Sequence, residues 1–330
     1  MAEWGHNYGG RIAQALGFTH NTPCAATLHT VFRHVDRDVL EAKLGAWAEG
    51  VVVSTPAAPS AGEAAVALDG KTLRGSSKQG APGSHLLSAL SHHMGLTLAQ
   101  QAVEAKTNEI TQVETVLRQL VLPGRVLTMD ALLTQRHVAQ TIVDAGGDYV
   151  MIVKNNQPQL RADIELVFTL PPAGDRQESM RTVDIGHGRI EQRNITTSEA
   201  LVGYSDWPGL AQVFELGRHV ITQKTGKERA EVVYGVTSLR PERATPTRLL
   251  ELVRGQWQIE NQSHWVRDVT FDEDRSQVRS GNIPHVMAAL RNTAIGLLRW
   301  AGHTNMAAAC RRLAAQPAQA LALIGIAFEN

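Results

Sequence analysis

Two aspartates lie where carboxylates are rarely found, within or directly after apolar strand patterns. Asp69 falls inside the pattern Ala64 to Leu73, and Asp130 directly follows the pattern Arg125 to Met129. A buried carboxylate is costly unless a partner or a cation compensates its charge. If the two strands are neighbours, the carboxylates face one another, and a divalent cation relieves their repulsion. Because these ligands offer only oxygen, Mg²⁺ or Mn²⁺ is expected rather than zinc.

A third carboxylate is expected from a helix that follows the last strand. Glu260 is the best candidate, because it lies on the helical pattern 246–265, one turn from Gln256 and from His264. Its rivals are Glu251 and four acidic residues in a segment that fits a solvated loop: Asp268, Asp272, Glu273 and Asp274. Three such carboxylates support two-metal phosphodiester cleavage, in which one cation activates water or a 3′-hydroxyl and the other stabilises the leaving oxygen.

Other reaction classes lack their usual motifs. The sequence contains no GxxxxGK[ST], HExxH or GxSxG pattern, the signatures of nucleotide-driven motors, zincins and serine hydrolases. His92-His93 falls in a predicted hairpin turn, which favours a surface pair over a pair of metal ligands. Trp257 and Trp265 flank Glu260; core packing is the first interpretation and base stacking is the alternative.

Periodicity predicts the elements that must position these carboxylates. Three strand patterns joined by turns cover Ala64 to Glu104, and a helix, a strand, a helix and a strand follow up to Val153. This order predicts a mixed α/β fold, a ribonuclease-H-like sheet of five strands flanked by helices, with its first and fourth strands adjacent. Strand-like alternations between Gly/Pro turns then predict a β-rich insertion over 157–245, after which helices return.

The chain is predicted to have four parts, and a Pro/Ser/Ala/Gly-rich linker at 54–63 joins the first part to the second. These are a small helical N-terminal region, the first part of the catalytic core, the β-rich insertion, and a helical C-terminal part of the core: residues 1–53, 64–156, 157–245 and 246–330. The first part is either a DNA-binding helix-turn-helix or a helical cap on the core.

Composition places the chain among globular proteins. Of its 330 residues, 43% are hydrophobic and 19% charged, and 32 basic residues balance 32 acidic ones. A neutral total argues against a wholly basic surface but permits local basic patches. The two cysteines, Cys24 and Cys310, exclude a disulfide framework and fit a reducing cytosol. No signal-peptide or membrane-span pattern is visible, so a soluble cytoplasmic protein with no membrane partner is expected.

Several motifs, in order, resemble those of one known family: ALDGKTLRGS, VEAKTNEI, TMDAL, GGDYVMIVKNNQ, HGRIEQR, WPGL, and QWQIENQSHWVRDVTFDED followed by RSGN. They resemble the ISAs-type insertion-sequence transposases, also called H-repeat-associated proteins, over about residues 20–300. This family belongs to the DDE superfamily, which has a ribonuclease-H-like core and a β-strand insertion before the last acidic residue.

The resemblance implies that Asp69, Asp130 and Glu260 are the catalytic residues and hold Mg²⁺, with Mn²⁺ as a substitute. It also implies a set of DNA contacts around them: Lys71, Arg74, Lys154, Asn156, Arg254, Asn261, His264 and Arg267. Of these, Arg267 is expected to meet the transposon end.

The expected function is a bacterial DNA transposase that binds its terminal inverted repeats and its target DNA, cleaves and joins strands, and acts on DNA as a homodimer at the nucleoid. Two departures from the family are visible: the N-terminal helical region is short, and Gln256 stands where many relatives have His. The alternatives are a shortened DNA-end-binding regulator or remnant without cutting activity, and a metal-dependent DNA nuclease that does not join strands.

Overall fold

The computed structural model of the chain describes residues 2–55, 64–77, 83–103 and 109–327. The predicted linker lies outside these ranges except for Ser54 and Thr55, and so does most of the VEAKTNEI motif.

Three helices precede the sheet: α1 (Ala2–Ala15), α2 (Ala25–His34) and α3 (Arg37–Ser54). The side chain of Asp36 caps α3 by accepting hydrogen bonds from two backbone N–H groups of its first turn. α3 packs closely on the sheet, because a side-chain carbon added to Gly45 would lie 2.6 Å from the carbonyl oxygen of Leu98. Contact of this N-terminal region with DNA stays a prediction.

The centre of the molecule is one nine-stranded sheet in the order β3-β2-β1-β4-β5-β9-β8-β7-β6. Its strands are β1 (Ala64–Thr72), β2 (His85–Ser91), β3 (Thr97–Val103), β4 (Arg125–Met129), β5 (Asp148–Val153), β6 (Glu178–Gly186), β7 (Arg189–Ser198), β8 (Gln212–Thr222) and β9 (Glu228–Thr237). β1 and β4 are parallel neighbours, with Leu68 opposite Met129. The predicted mixed α/β sheet and the adjacency of its first and fourth strands are therefore confirmed.

Helices cover both faces of the sheet because its central strands are apolar on both. One face packs against α3, α4 (Glu109–Gln119), α5 (Arg136–Asp144) and α6 (Pro158–Thr169). The other face packs against α7 (Pro246–Gln258). The chain then continues through a π-helix (Ile259–His264), α8 (Trp265–Val269), α9 (Ile283–Trp300), α10 (Met306–Ala315) and α11 (Pro317–Leu323). Across the described ranges, no helix has both the length and the hydropathy needed to span a membrane.

The four strands β6–β9 extend the five-stranded sheet instead of forming a layer of their own. β9 pairs with β5 in antiparallel register, and this pairing ends where Tyr234 lies opposite Val153. Beyond that point the four strands pair only with one another. We call this part, residues 180–195 and 216–233, the arm.

Candidate active site

Strand alternation places Asp69 and Asp130 on the α7 face of the sheet. On β1, Ala65 packs against α7 and Ala67 against the π-helix, so Asp69 shares this face. On β4, Val126 also packs against α7, and strand alternation brings Asp130 to the same face. Leu68 and Met129 lie opposite each other in this parallel pair, so Asp69 and Asp130 are the next residues on their two strands. The side chains are 35% and 54% exposed, respectively, at one edge of the sheet.

Glu260 reaches this edge from the π-helix. The preceding residue, Ile259, is buried against Ala67 of β1 and anchors the helix there. One ligand atom each from Asp69, Glu260 and His264 lies within 4.8 Å of the others. The structure therefore brings the first and third predicted carboxylates together and adds an imidazole to them.

His264 bridges the two carboxylates from a buried position. Its Nδ1 lies 3.1 Å from Oε2 of Glu260 and 3.6 Å from Oδ2 of Asp69. Because an ionised carboxylate can only accept, Nδ1 donates to Glu260. This hydrogen bond, aided by the positive charge of Lys71, holds the pKa of Glu260 below its ordinary value against the opposing effect of burial. Since only 3% of the His264 side chain is exposed, its expected DNA contact does not fit the structure.

Asp130 stands apart from this cluster and has its own partners. Its Oδ1 accepts the N–H of Ala131 at 2.7 Å and lies 3.3 Å from Nζ of Lys154. Both side chains of the ion pair are more than half exposed, so the pair is worth about 1 kcal/mol or less. A divalent cation could displace Lys154 at little cost.

A chain of hydrogen bonds holds α7 against the strands that carry the aspartates. Nε2 of His92 lies 2.9 Å from Oγ1 of Thr128, which donates to Oε1 of Gln256 at 2.6 Å. The amide nitrogen of Gln256 donates to the carbonyl of Leu68 at 2.9 Å. These contacts lie one residue before Asp69 on β1 and two before Asp130 on β4. They therefore set the height of the Glu260-bearing helix above both strands.

The expectation that His92 lies at the surface is wrong. α7 crosses the His92 ring so closely that a side-chain carbon at Gly255 would lie 2.1 Å from its Nδ1. Burial is the main cause that lowers the pKa of His92 to about 4, so the ring is neutral at pH 7. His93, its neighbour, is exposed as expected.

Two of the cations expected to contact DNA are buried instead. Arg267 has no exposed side-chain surface, and its Nη2 lies 2.7 Å from Glu273, which also binds Arg291 at 3.0 Å. Lys71 is 8% exposed, with its Nζ 2.6 Å from Asp268. Their positive charges are neutralised inside the protein, so the structure contradicts direct DNA contact for both. Glu273 is accordingly not part of a solvated loop.

The other expected DNA contacts lie at the surface. Arg74, Lys154, Arg254 and Asn261 are exposed, although Arg254 lies 3.3 Å from Asp184 of the arm. Asn156 is exposed too, but its amide donates to two backbone carbonyls after β4. Trp257 and Trp265 are 65% and 55% exposed. Core packing of these two tryptophans is therefore wrong, and stacking on DNA remains as the alternative.

The donor set at this edge fits a divalent cation. Two carboxylates converge on Nδ1 of His264, which would bind a cation in place of the proton that it now donates to Glu260. Among the described residues, the other ring nitrogen is buried with no hydrogen-bond partner. Carboxylate oxygens suit Mg²⁺ and Mn²⁺, and an imidazole ligand shifts the preference toward the transition metal. The spacing of four residues from Glu260 to His264 was the sequence signal for this imidazole.

The family model described as "Transposase DDE domain" matches residues 60–297. Among curated proteins, the chain is similar to "Putative transposase YncI" of Escherichia coli O157:H7, with 32% identity over 71% of this chain and 61% of that protein. It is also similar to "H repeat-associated putative transposase YhhI" of Escherichia coli K12, with 31% identity over 71% of this chain and 63% of that protein. The chain thus spans somewhat over three-fifths of the length of these two relatives.

A third relative is "Uncharacterized protein in dhlA 3'region" of Xanthobacter autotrophicus, with 35% identity over 64% of this chain and 71% of that protein. Among solved structures, the chain is similar to a piggyBac transposase synaptic complex with hairpin DNA. That match has a TM-score of 0.43 and 11% identity, and covers 78% of this chain and 52% of the other.

Proposed function

This chain belongs to the DDE transposase family of insertion sequences, and we propose that it cleaves and rejoins DNA at the terminal inverted repeats of its own element. The observation that carries the proposal is the convergence of Asp69, Glu260 and His264 beside the end of β4, where Asp130 lies. This site falls inside the matched transposase domain.

Asp69 and Glu260, with His264, would hold one divalent cation, and Asp130 would complete the site by exchanging Lys154 for a cation. When bound, these cations would supply an activated oxygen nucleophile and would stabilise the oxygen that leaves phosphorus. The lowered pKa of Glu260 keeps its carboxylate ionised and ready to bind. Lys154, once released from Asp130, would contact the phosphate of the strand being cut.

Two chemical steps would follow from one site. In the first, water attacks the phosphodiester at the element end, the P–O3′ bond breaks, and a 3′-hydroxyl is released. In the second, that 3′-hydroxyl attacks a phosphodiester of target DNA, and the broken P–O3′ bond of the target supplies the new leaving group. Two ends in one complex need at least two protomers, so we propose a homodimer on DNA.

The test uses labelled duplex that carries the flanking sequences of the gene, with Mg²⁺ or Mn²⁺. We expect cuts at the element boundary and products joined to a second duplex, and we expect Asp130→Asn to lose both. The matched control is Asp144→Asn, at an exposed aspartate that ends α5 away from the site. Full cutting by the Asp130 variant would refute the assignment. Cutting without joining would identify a nuclease, and binding without cutting would identify a DNA-end-binding protein.

A further inference from the structure

The arm extends from the same sheet edge that carries the candidate active site. β5 ends at Val153, opposite Tyr234 of β9, and the six residues of β9 before Tyr234 continue beyond that end. Asp130 follows β4 at the same edge. At about 3.4 Å a residue, the arm reaches roughly 20 Å past the carboxyl ends of these strands. DNA held at the carboxylates would therefore pass beside the arm.

Two turns form the tip of the arm and are bonded to each other. One joins β6 to β7 at His187 and Gly188, and the other joins β8 to β9 at residues 223–227. The backbone N–H of Gln223 donates to the carbonyl of Gly188 at 2.9 Å. The tip is thus a single surface built from both hairpins.

Positive charge is concentrated at this tip. Arg189, Lys224 and Lys227 are exposed, and within the described part of the chain none of them has an ion-pair partner. Lower in the arm, Arg193 pairs with Asp184 at 2.5 Å and Arg218 pairs with Glu191, whereas Arg181 donates to the uncharged side chain of Gln192. Three of the four cations of the arm that have no ion pair among the described residues therefore lie at the end farthest from the core.

We propose that the tip binds the phosphate backbone of the DNA duplex whose scissile end lies in the active site. This inference rests on the proposed function. A reach of roughly 20 Å corresponds to about six base pairs, given a rise of about 3.4 Å for each pair. Because the groups on the tip are cations and backbone amides, they position the duplex without reading its sequence.

The test compares a triple variant of the tip with a matched control of equal charge. The tip variant is Arg189→Gln/Lys224→Gln/Lys227→Gln, and the control is Arg176→Gln/Arg240→Gln/Arg311→Gln. The control residues are exposed cations outside the tip, and none of them forms an ion pair with another described residue. Binding of the end-bearing duplex to the full chain is measured by fluorescence anisotropy over a range of salt concentrations.

Removing one cation that binds a phosphate reduces the steepness of log affinity against log salt by about 0.9, so the slope of the tip variant should be shallower by about 2 to 3 units. At low salt its affinity should fall about tenfold or more, while the control keeps the slope of the wild type. Shortening the duplex to fewer than about six base pairs beyond the cut, on the side that reaches the arm, should make the tip variant and the wild type equal.

A tip variant with the slope of the wild type on the long duplex would overturn the proposal, whether or not the protein cuts DNA. The same conclusion would follow if the slope of the control became as shallow as that of the tip variant. If the wild type fails to cut while the difference in slope persists, the proposed reaction fails and DNA binding by the tip stands. Circular dichroism and thermal melting verify that both variants are folded.

Discussion

Replacing Gln256 tests whether its hydrogen bonds hold the Glu260-bearing helix on the strands of the active site. Gln256→Leu removes the amide, so the carbonyl of Leu68 loses its donor and the hydroxyl of Thr128 loses its acceptor. Both residues are at most 1% exposed, which leaves water little access to the orphaned groups. Each unsatisfied buried group costs about 1–3 kcal/mol, so we expect the free energy of unfolding to fall by about 2–4 kcal/mol.

A double-mutant cycle separates this interaction from a general packing defect. Thr128→Val alone leaves Oε1 of Gln256 and Nε2 of His92 without their partner. The double variant lacks both the Thr128 hydroxyl and the Gln256 carbonyl, so neither is left buried without the other. Its free energy of unfolding should therefore fall by about 1 kcal/mol less than the sum of the two single losses. The free energies are measured by urea denaturation, with Gln140→Leu on the exposed face of α5 as the control. Additivity within about 0.3 kcal/mol, or a loss below about 0.5 kcal/mol for Gln256→Leu, would refute the reasoning.

Two further predictions concern buried carboxylates. Burial, opposed by a hydrogen bond from Gln100, raises the pKa of Glu41 to about 7. Because the folded state therefore holds this proton more tightly than the unfolded state, the wild type should lose up to about 3 kcal/mol of stability as pH rises from about 4.5 to 7. Glu41→Gln lacks this loss, so the free energy of unfolding of the variant relative to the wild type should be higher at pH 8 than at pH 5, as measured by urea denaturation. The same difference in free energy at both pH values would contradict the raised pKa. Glu273→Gln leaves Arg267 and Arg291 without their buried counter-charge and should cost about 3–5 kcal/mol, whereas a loss below about 1 kcal/mol would show that the network is not essential.

Much of the sheet could be predicted because most strands show an apolar or alternating pattern in the sequence and end at recognisable turn residues. The alternation on β1 and β4 was enough to expect Asp69 and Asp130 on neighbouring strands, and the structure has the predicted strand adjacency. The antiparallel pairing of β5 with β9 was not predicted. It joins residues more than eighty positions apart, and no local pattern records such a partner.

The burial of single polar and aromatic side chains was harder to predict, since it depends on distant partners. Nothing near Arg267 in the sequence indicates that Arg291 shares its carboxylate, so a solvated loop and a DNA contact were the natural expectations. The exposure of Trp265 has a different reason. A helical period carried through the segment 246–265 assumes continuous α-geometry, and the π-helix after Gln258 shifts that period.

The π-helix that carries Glu260 also bears on how this site can change in evolution. A π-turn accommodates one residue more than an α-turn, as though a codon had been inserted into an ordinary helix. Deleting one codon between Glu260 and His264 would restore α-geometry without rotating α7 against α8, because a π-turn and an α-turn each complete one rotation. Glu260 and His264 would then be three residues apart instead of four, so their side chains would no longer keep the arrangement that brings one ligand atom of each within 4.8 Å of Asp69. A lineage of such genes can therefore change the geometry of the cluster through a three-nucleotide insertion or deletion while the helices on either side keep their packing.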